Sequence, residues 1–132
     1  MVPKGPEARY VEEPSLELLA KLGWSRVDAF QEALGAQGTL GRDSQHEVVL
    51  TYRLRFAMRK LNPVEVPDTA INEAVEALTK DRSVMDRVRA NREVYDLLRD
   101  GYPAEWIDER GNKRIELLRY LDLANPAAND LL

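Results

Sequence analysis

The 132-residue sequence contains no cysteine, so disulfide bonds and thiolate metal sites are excluded. His46 is the only histidine, and with no second histidine or cysteine to accompany it a metal role for it is not expected. No run approaches the roughly 20 apolar residues of a membrane span, and the first residues lack the apolar core of a signal peptide. These absences predict a cytoplasmic protein without a membrane segment.

Positive charge is also in short supply, since 19 basic residues face 23 acidic ones and the net charge is −4. Non-specific affinity for nucleic acids comes mainly from excess Lys and Arg, so this balance argues against a stand-alone DNA-binding surface. The alternative to binding is a solvated surface with i,i+4 ion pairs such as Arg89–Glu93. Basic residues are nevertheless concentrated in 42–60 and 80–92, and the candidates for DNA contact there are Arg53, Arg55, Arg59, Lys60, Arg89 and Arg92.

The first helix is predicted over residues 11–24, where Gly23 terminates it. Its apolar stripe, which is expected to be buried, consists of Leu16, Leu19 and Leu22. The following residues, 24–30, are too short and mixed for a firm assignment. A short strand is one interpretation, with Trp24 and Phe30 as core anchors.

Two further helices are predicted in the middle of the chain, after a glycine-rich loop at 32–43. One spans 44–61 and stops at Asn62-Pro63. The other opens at Asp68 and ends before a short bend. Their predicted apolar faces are Leu50, Leu54, Met58 and Leu61 on the first, and Ala70, Ile71, Ala74, Val75 and Leu78 on the second.

A fourth helix is predicted within 81–101. Ser83 and Asp86 have the spacing of a capping box, and Gly101 suits the C-cap. Asn91 falls inside the apolar stripe, where it is either a hydrogen-bonded structural residue or a functional one. The middle helices, joined by short connections, are expected to pack as a bundle. The stripe of the fourth helix is Val84, Val88, Tyr95 and Leu98, widened by Val94 and Leu97.

The C-terminal part is predicted to form a β-hairpin. Two runs rich in aromatic and branched residues, 102–108 and 113–122, are separated by a glycine-bearing turn. Because Leu117 and Leu118 are adjacent, a bulge or burial on both faces is expected in the second run. The fold class is therefore α+β, mainly helical with about four helices and a C-terminal hairpin. By size the chain is a single domain.

Enzyme motifs are scarce in this sequence. It has no Walker loop, no Gly-rich dinucleotide turn, no serine elbow and no HExxH pair. No aspartate on one predicted strand is followed by a Glu-x-Lys on the next. The residues alone therefore predict a soluble α+β domain with a helical middle.

Short segments distributed along nearly the whole chain carry a resemblance that no single motif carries. In order, they are Val11-Glu12 to Leu22-Gly23-Trp24, Leu40-Gly41-Arg42-Asp43, Glu47-Val48-Val49-Leu50 with Arg53-Leu54-Arg55, Leu61-Asn62-Pro63, Ala70-Ile71 to Leu78-Thr79, Ala90-Asn91-Arg92-Glu93-Val94-Tyr95 to Leu98, Tyr120-Leu121-Asp122, and Asn125-Pro126-Ala127-Ala128-Asn129-Asp130. With these segments the chain resembles the N-terminal part of the restriction subunit, which is both motor and endonuclease, of type I restriction-modification enzymes.

The resemblance implies an incomplete nuclease domain of the PD-(D/E)xK type. In that family the catalytic aspartate and Glu-x-Lys lie on strands after the segment matched by Asn129-Asp130, so a chain ending on Leu131 and Leu132 looks cut before them. It implies Mg²⁺ and ATP as cofactors of the full-length protein but none for this fragment, which is not expected to cut DNA alone. Glu12 matches the position of a metal-site helper, and its alternative role is a first-turn acid favoured by the helix dipole.

The implied partners are DNA and the modification and specificity subunits of the complex. An alternative function from another class is a non-enzymatic helical interaction module. Such a module would dock on partner subunits, or on DNA through the basic residues named above.

Overall fold

The computed structural model describes residues 5–129, so the predictions for Asp130, Leu131 and Leu132 lie outside the described residues. Four α-helices are followed by an antiparallel hairpin, which confirms the α+β class with four helices and a C-terminal hairpin. The elements are α1 (Glu13–Lys21, preceded by a π-helical segment, Ala8–Glu12), α2 (Thr51–Leu61), α3 (Asp68–Thr79), α4 (Arg87–Asp100), β1 (Tyr102–Ile107), β2 (Lys113–Leu118) and a 3₁₀ turn (Pro126–Ala128). Within residues 5–129, no helix is long and apolar enough to cross a membrane.

Helix α3 organises the core, because it packs against both α2 and β1. Its apolar residues recur with the period of a helix, so four of the five predicted positions fall on the buried face and Leu78 is half-buried. The hydrophobic core consists of Met58, Val66, Ala70, Ile71, Ala74, Val75, Ala104, Leu118 and Tyr120. The predicted face of α3 is therefore confirmed, whereas the helices form part of a helix-and-hairpin core and not a bundle of their own.

The first helix is confirmed in position, but the prediction that its leucine stripe is buried is wrong. No residue of α1 is buried, and Leu22 just beyond it is exposed. Trp24 and Phe30 are not core anchors either, since 49% and 93% of their surfaces are exposed, and 24–30 contains no strand. The spacing of the leucines predicts a helix face that should be buried, but no described part of the chain buries it. Gly23 ends the helix as predicted, with a φ of +95°.

Helix α2 begins at Thr51, seven residues later than the predicted start at Ser44. Local hydrogen bonds hold the preceding residues in turns instead. Arg42 donates to the backbone carbonyls of Gln45 (3.2 Å) and Glu47 (2.9 Å), and the Ser44 hydroxyl accepts from the His46 amide at 3.1 Å. Such side-chain bonds compete with helix formation. The end of α2 at Asn62-Pro63 and the loop at 32–43 are confirmed.

Helix α4 begins at Arg87, and the predicted capping box is wrong. Asp86 is itself the N-cap, because its side chain accepts a hydrogen bond from the Arg89 amide at 2.9 Å. Most of the predicted stripe is also wrong, since Val84, Val88 and Tyr95 are 96%, 74% and 59% exposed and Asn91 is exposed to solvent. Leu97 and Leu98 are the residues of α4 that pack on the core, so the helix buries its C-terminal half only partly.

The hairpin is confirmed, with Tyr102 opposite Leu118 and Ile107 opposite Lys113 in a continuous register. The expected bulge or two-sided burial is wrong. Side chains alternate across a strand, so Leu118 points into the core while Leu117 is 59% exposed on the other face. The hairpin therefore has one buried and one exposed face.

Candidate functional site

The segment that follows the hairpin, residues 119–129, is held by hydrogen bonds from several polar side chains. We call it the post-hairpin segment. Among residues 5–129, the buried polar residues are Asn62 and Asn129, and both bond to this segment. Buried side-chain amides need hydrogen-bond partners, and both of these amides find partners in this segment.

Asn62 joins the end of α2 to the start of the post-hairpin segment. Its Oδ1 accepts from the Arg119 amide at 2.8 Å, and its Nδ2 donates to the carbonyls of Arg119 (3.0 Å) and Met58 (2.8 Å). The pair of bonds to Arg119 imitates a neighbouring strand. From the sequence, Asn62 was predicted only to end a helix. Its hydrogen-bond partner lies 57 residues away, so no local pattern could indicate the contact.

Tyr120, the next residue, anchors the segment to α3. Its hydroxyl donates to the carbonyl of Ala74, and its ring lies in the core. Burial raises the pKa of the Tyr120 phenol above its ordinary value, because the charged form would lose its hydration. The hydroxyl therefore remains a hydrogen-bond donor at neutral pH.

Asn129 closes the segment into a compact loop. Its Oδ1 accepts from the Asp122 amide at 2.8 Å, and its Nδ2 donates to the carbonyls of Asp122 (2.9 Å) and Pro126 (3.2 Å). Asp122 Oδ1 accepts in turn from the amides of Ala124 (3.1 Å) and Asn125 (3.0 Å). The direction of the chain at Asn129 is thus fixed by side chains within the segment itself.

The structure divides the predicted DNA-contact residues of α2 into two groups. Arg59 is engaged in the fold, since it donates to Asp68 Oδ1 (2.8 Å) and to the carbonyl of Val66 (2.7 Å). Arg55 is half-buried, with its Nε out of contact with solvent and its guanidinium 5.8 Å from the centre of the Tyr52 ring. Arg53 and Lys60 are exposed on the outer side of the helix.

The two candidates on α4, Arg89 and Arg92, are both exposed. The expected partner of Arg89 is occupied elsewhere, because Glu93 forms ion pairs with Arg82 (3.1 Å) and Lys80 (3.3 Å). The Arg82 and Lys80 side chains hold the pKa of the Glu93 carboxyl below its ordinary value.

Glu12 is exposed in the π-helical segment before α1. Anchoring Mg²⁺ takes carboxylates arranged around one point, with water or phosphate filling the remaining positions. In the part of the chain from residue 5 to 129, no group of three or more His, Cys, Asp or Glu residues could hold a metal ion. Within the described residues Glu12 is therefore not part of such a group, and its role as a metal-site helper stays a prediction.

A groove of about 470 Å³ lies between α4 and the hairpin. Its lining includes Lys80, Arg82 and Glu93, whose charges pair with one another. The apolar part of the lining includes Leu97 and Leu117. The lining also includes Asp96 and Asp100, so it carries two basic and three acidic side chains.

Comparison with known proteins matches nearly the whole chain. The family model described as type I restriction enzyme R protein N terminus covers residues 6–132. The type I restriction enzyme HindI endonuclease subunit of Haemophilus influenzae is 34% identical over 112 residues, which is 85% of this chain and 10% of that protein. The chain thus spans about a tenth of the length of the curated relative it matches. No solved structure matches.

Proposed function

Because this chain belongs to the family of type I restriction enzyme R protein N termini, we propose that it forms the supporting, non-catalytic N-terminal part of the R subunit's endonuclease region. In this role the chain supplies the helices and the hairpin that hold catalytic strands in place. It does not itself supply the residues that cut DNA.

The proposal extends to the full-length protein. There, ATP-driven translocation would bring unmodified foreign DNA to a nuclease of the PD-(D/E)xK type, whose Asp and Glu-x-Lys follow the Asn129-Asp130 segment. Mg²⁺ would serve the cutting step and ATP the motor, while the modification and specificity subunits would be partners in the complex. Because such a machine acts on DNA that enters the cell, we place it in the cytoplasm.

The post-hairpin segment is the observation that supports this role. The side chains of Asn62, Tyr120 and Asn129 form hydrogen bonds that fix the path of the backbone from Arg119 to Asn129. An ordinary connecting loop seldom has this arrangement, because burying polar groups costs free energy unless each group finds a hydrogen-bond partner. Rigid positioning is what a nuclease needs, since a catalytic side chain displaced by about 1 Å can lose a hundredfold in rate.

A plasmid-nicking assay tests the non-catalytic part of the proposal. The purified chain is incubated with supercoiled plasmid over a range of Mg²⁺ concentrations, and circular dichroism establishes that it is folded. We expect no conversion to open-circular or linear DNA. Nicking that requires Mg²⁺ and disappears in Glu12→Ala would overturn the proposal, because Glu12 would then belong to a working metal site.

A further inference from the structure

We propose that the exposed face of α2 binds single-stranded DNA. This face, the α2 aromatic–cation face, consists of Tyr52, Arg53, Phe56 and Lys60. The inference goes beyond the proposed structural role, because the face lies on a different element from the post-hairpin segment. Its test also requires neither cleavage nor metal.

The distribution of residue types around α2 is the first observation. The helix contains four basic residues and no acidic one in its 11 residues, although the whole chain is acidic. At about 100° per residue, positions 52, 53, 56 and 60 share one side of the helix. The opposite side carries the apolar residues Leu54, Met58 and Leu61, of which Met58 is fully buried.

Exposure of the aromatic rings is the second observation. Phe56 is 65% exposed and Tyr52 is 37% exposed, and the two rings lie one helical turn apart among cations. The Lys60 ammonium lies 5.3 Å from the centre of the Phe56 ring. The Tyr52 hydroxyl bonds to Asp43 Oδ2 at 3.2 Å, which fixes the direction of that ring.

Rings and cations together indicate a particular ligand. The cations favour a polyanion, and the exposed rings favour flat, apolar surfaces that can stack on them. Unpaired nucleotides offer both a phosphate and a base face at each step, whereas bases inside a duplex already stack on one another. An acidic protein surface would form ion pairs with Arg53 and Lys60 but would offer the Phe56 ring no stacking partner.

The engaged arginines sharpen the assignment. Arg59 is committed to Asp68 and to backbone carbonyls, and Arg55 lies partly under the Tyr52 ring. We assign phosphate contact to Arg53 and Lys60, because both side chains are exposed on this face. Stacking falls mainly to Phe56, because its ring is 65% exposed whereas Tyr52 is 37% exposed.

Fluorescence anisotropy with the intact chain and labelled oligothymidine tests the inference. The oligonucleotide is made longer than the about 4–16 nucleotides that compact single-strand sites cover. We expect binding at low salt that is tighter than binding to a duplex of the same length. Phe56→Ala should weaken it about tenfold, as loss of one base–aromatic stack implies, while Phe56→Tyr should retain it.

Charge reversal provides the second arm. Arg53→Glu with Lys60→Glu should reduce the slope of log K against log salt by about 1.4, as expected for two lost phosphate contacts on a single strand. Lys21→Glu with Arg110→Glu changes the net charge equally at exposed positions elsewhere and should leave the slope unchanged. Phe30→Ala, which removes another exposed ring, should leave the affinity unchanged.

Several results would overturn the inference. One is no measurable binding, and another is duplex binding as tight as single-strand binding. Equal losses in the matched control variants would also overturn it. So would displacement of the oligonucleotide by a glutamate-rich peptide together with indifference to Phe56→Ala, because the face would then recognise acidic protein.

Discussion

At the scale of single residues, Asn62 shows how one amide can connect parts of the chain that are distant in sequence. Its three hydrogen bonds satisfy the backbone on both sides of Arg119 and the last turn of α2. No local pattern in the sequence marks this role. An asparagine before a proline is typical of a helix end, and only the folded chain brings Arg119, 57 residues away, within hydrogen-bond distance.

Replacing Asn62 by alanine should lower the free energy of unfolding by about 1–3 kcal/mol, because Arg119 would keep buried backbone groups without partners. Urea denaturation followed by circular dichroism measures the change. Asn72→Ala, at an exposed position of α3, is the matched control and should stay within about 0.5 kcal/mol of the parent. Equal losses in the two variants would show that the bonds of Asn62 do not matter.

Glu93 should make the stability of the protein depend on pH. Its pKa in the folded protein is lowered from the usual 4.5, since Arg82 and Lys80 favour the carboxylate. A carboxyl with a lowered folded pKa stabilises the protein above its unfolded pKa, and this contribution is lost as the pH falls through the folded pKa.

Glu93→Gln should therefore be less stable than the parent at pH 7, and the difference should shrink below about pH 4.5. Thermal denaturation across this range provides the measurement, with Glu76→Gln on the exposed side of α3 as the control. A difference that is constant with pH would indicate that packing, and not charge, is what Glu93 contributes.

At the scale of elements, the sequence predicted what local periodicity and turn residues decide. The buried face of α3 and the turn of the hairpin were both predicted correctly. In each element the periodicity and the flanking turn residues indicate the same structure. The start of α2 was missed, since the side chain of Arg42 reaches forward to carbonyls that a helix would otherwise use. The N-cap of α4 was misplaced because two residues, Ser83 and Asp86, could both begin a helix.

Gly101 joins α4 to β1 at a position that restricts the residue to glycine in two ways. Its φ is +91°, and a Cβ atom there would lie 2.6 Å from the carbonyl oxygen of Leu118. Both the backbone conformation and the close approach of β2 therefore require glycine. Gly111 in the hairpin turn has a φ of +80° but has no atom within 4 Å of such a Cβ.

The two glycines separate conformational strain from steric clash. Gly111→Ala should cost about 1 kcal/mol for its positive φ alone, while Gly101→Ala should cost about 3 kcal/mol or more. Unfolding in urea measures both. Similar losses in the two variants would contradict the close contact between Gly101 and β2.

At the scale of the whole molecule, several apolar surfaces have no cover in the described residues. Leu18 and Leu19 of α1, the ring of Phe30 and the outer face of the hairpin around Leu117 are exposed. Periodicity could predict that the stripe of α1 should be buried but not which surface buries it. Because the chain spans about a tenth of its curated relative, we expect the rest of an R protein to provide that surface.

The catalytic part of the candidate site could not be assigned from particular residues. Glu12 was selected through the family resemblance, and among the described residues it belongs to no group of three or more potential metal ligands. The polar residues that the fold does organise are Asn62, Tyr120 and Asn129. Their task is visible only in three dimensions, because it depends on contacts between segments that are far apart in the chain.

The role of this region in positioning the nuclease strands can be measured in the full-length R protein that carries it. Asn62→Ala and Asn129→Ala are introduced separately, with Asn72→Ala as the control, and ATP-dependent DNA cleavage is followed beside DNA-stimulated ATP hydrolysis. If this region positions the nuclease strands, cleavage falls at least tenfold while ATP hydrolysis persists, because a small displacement of catalytic groups suffices for such a loss. Cleavage at the parental rate in both variants, or loss of both activities in equal proportion, would contradict the account.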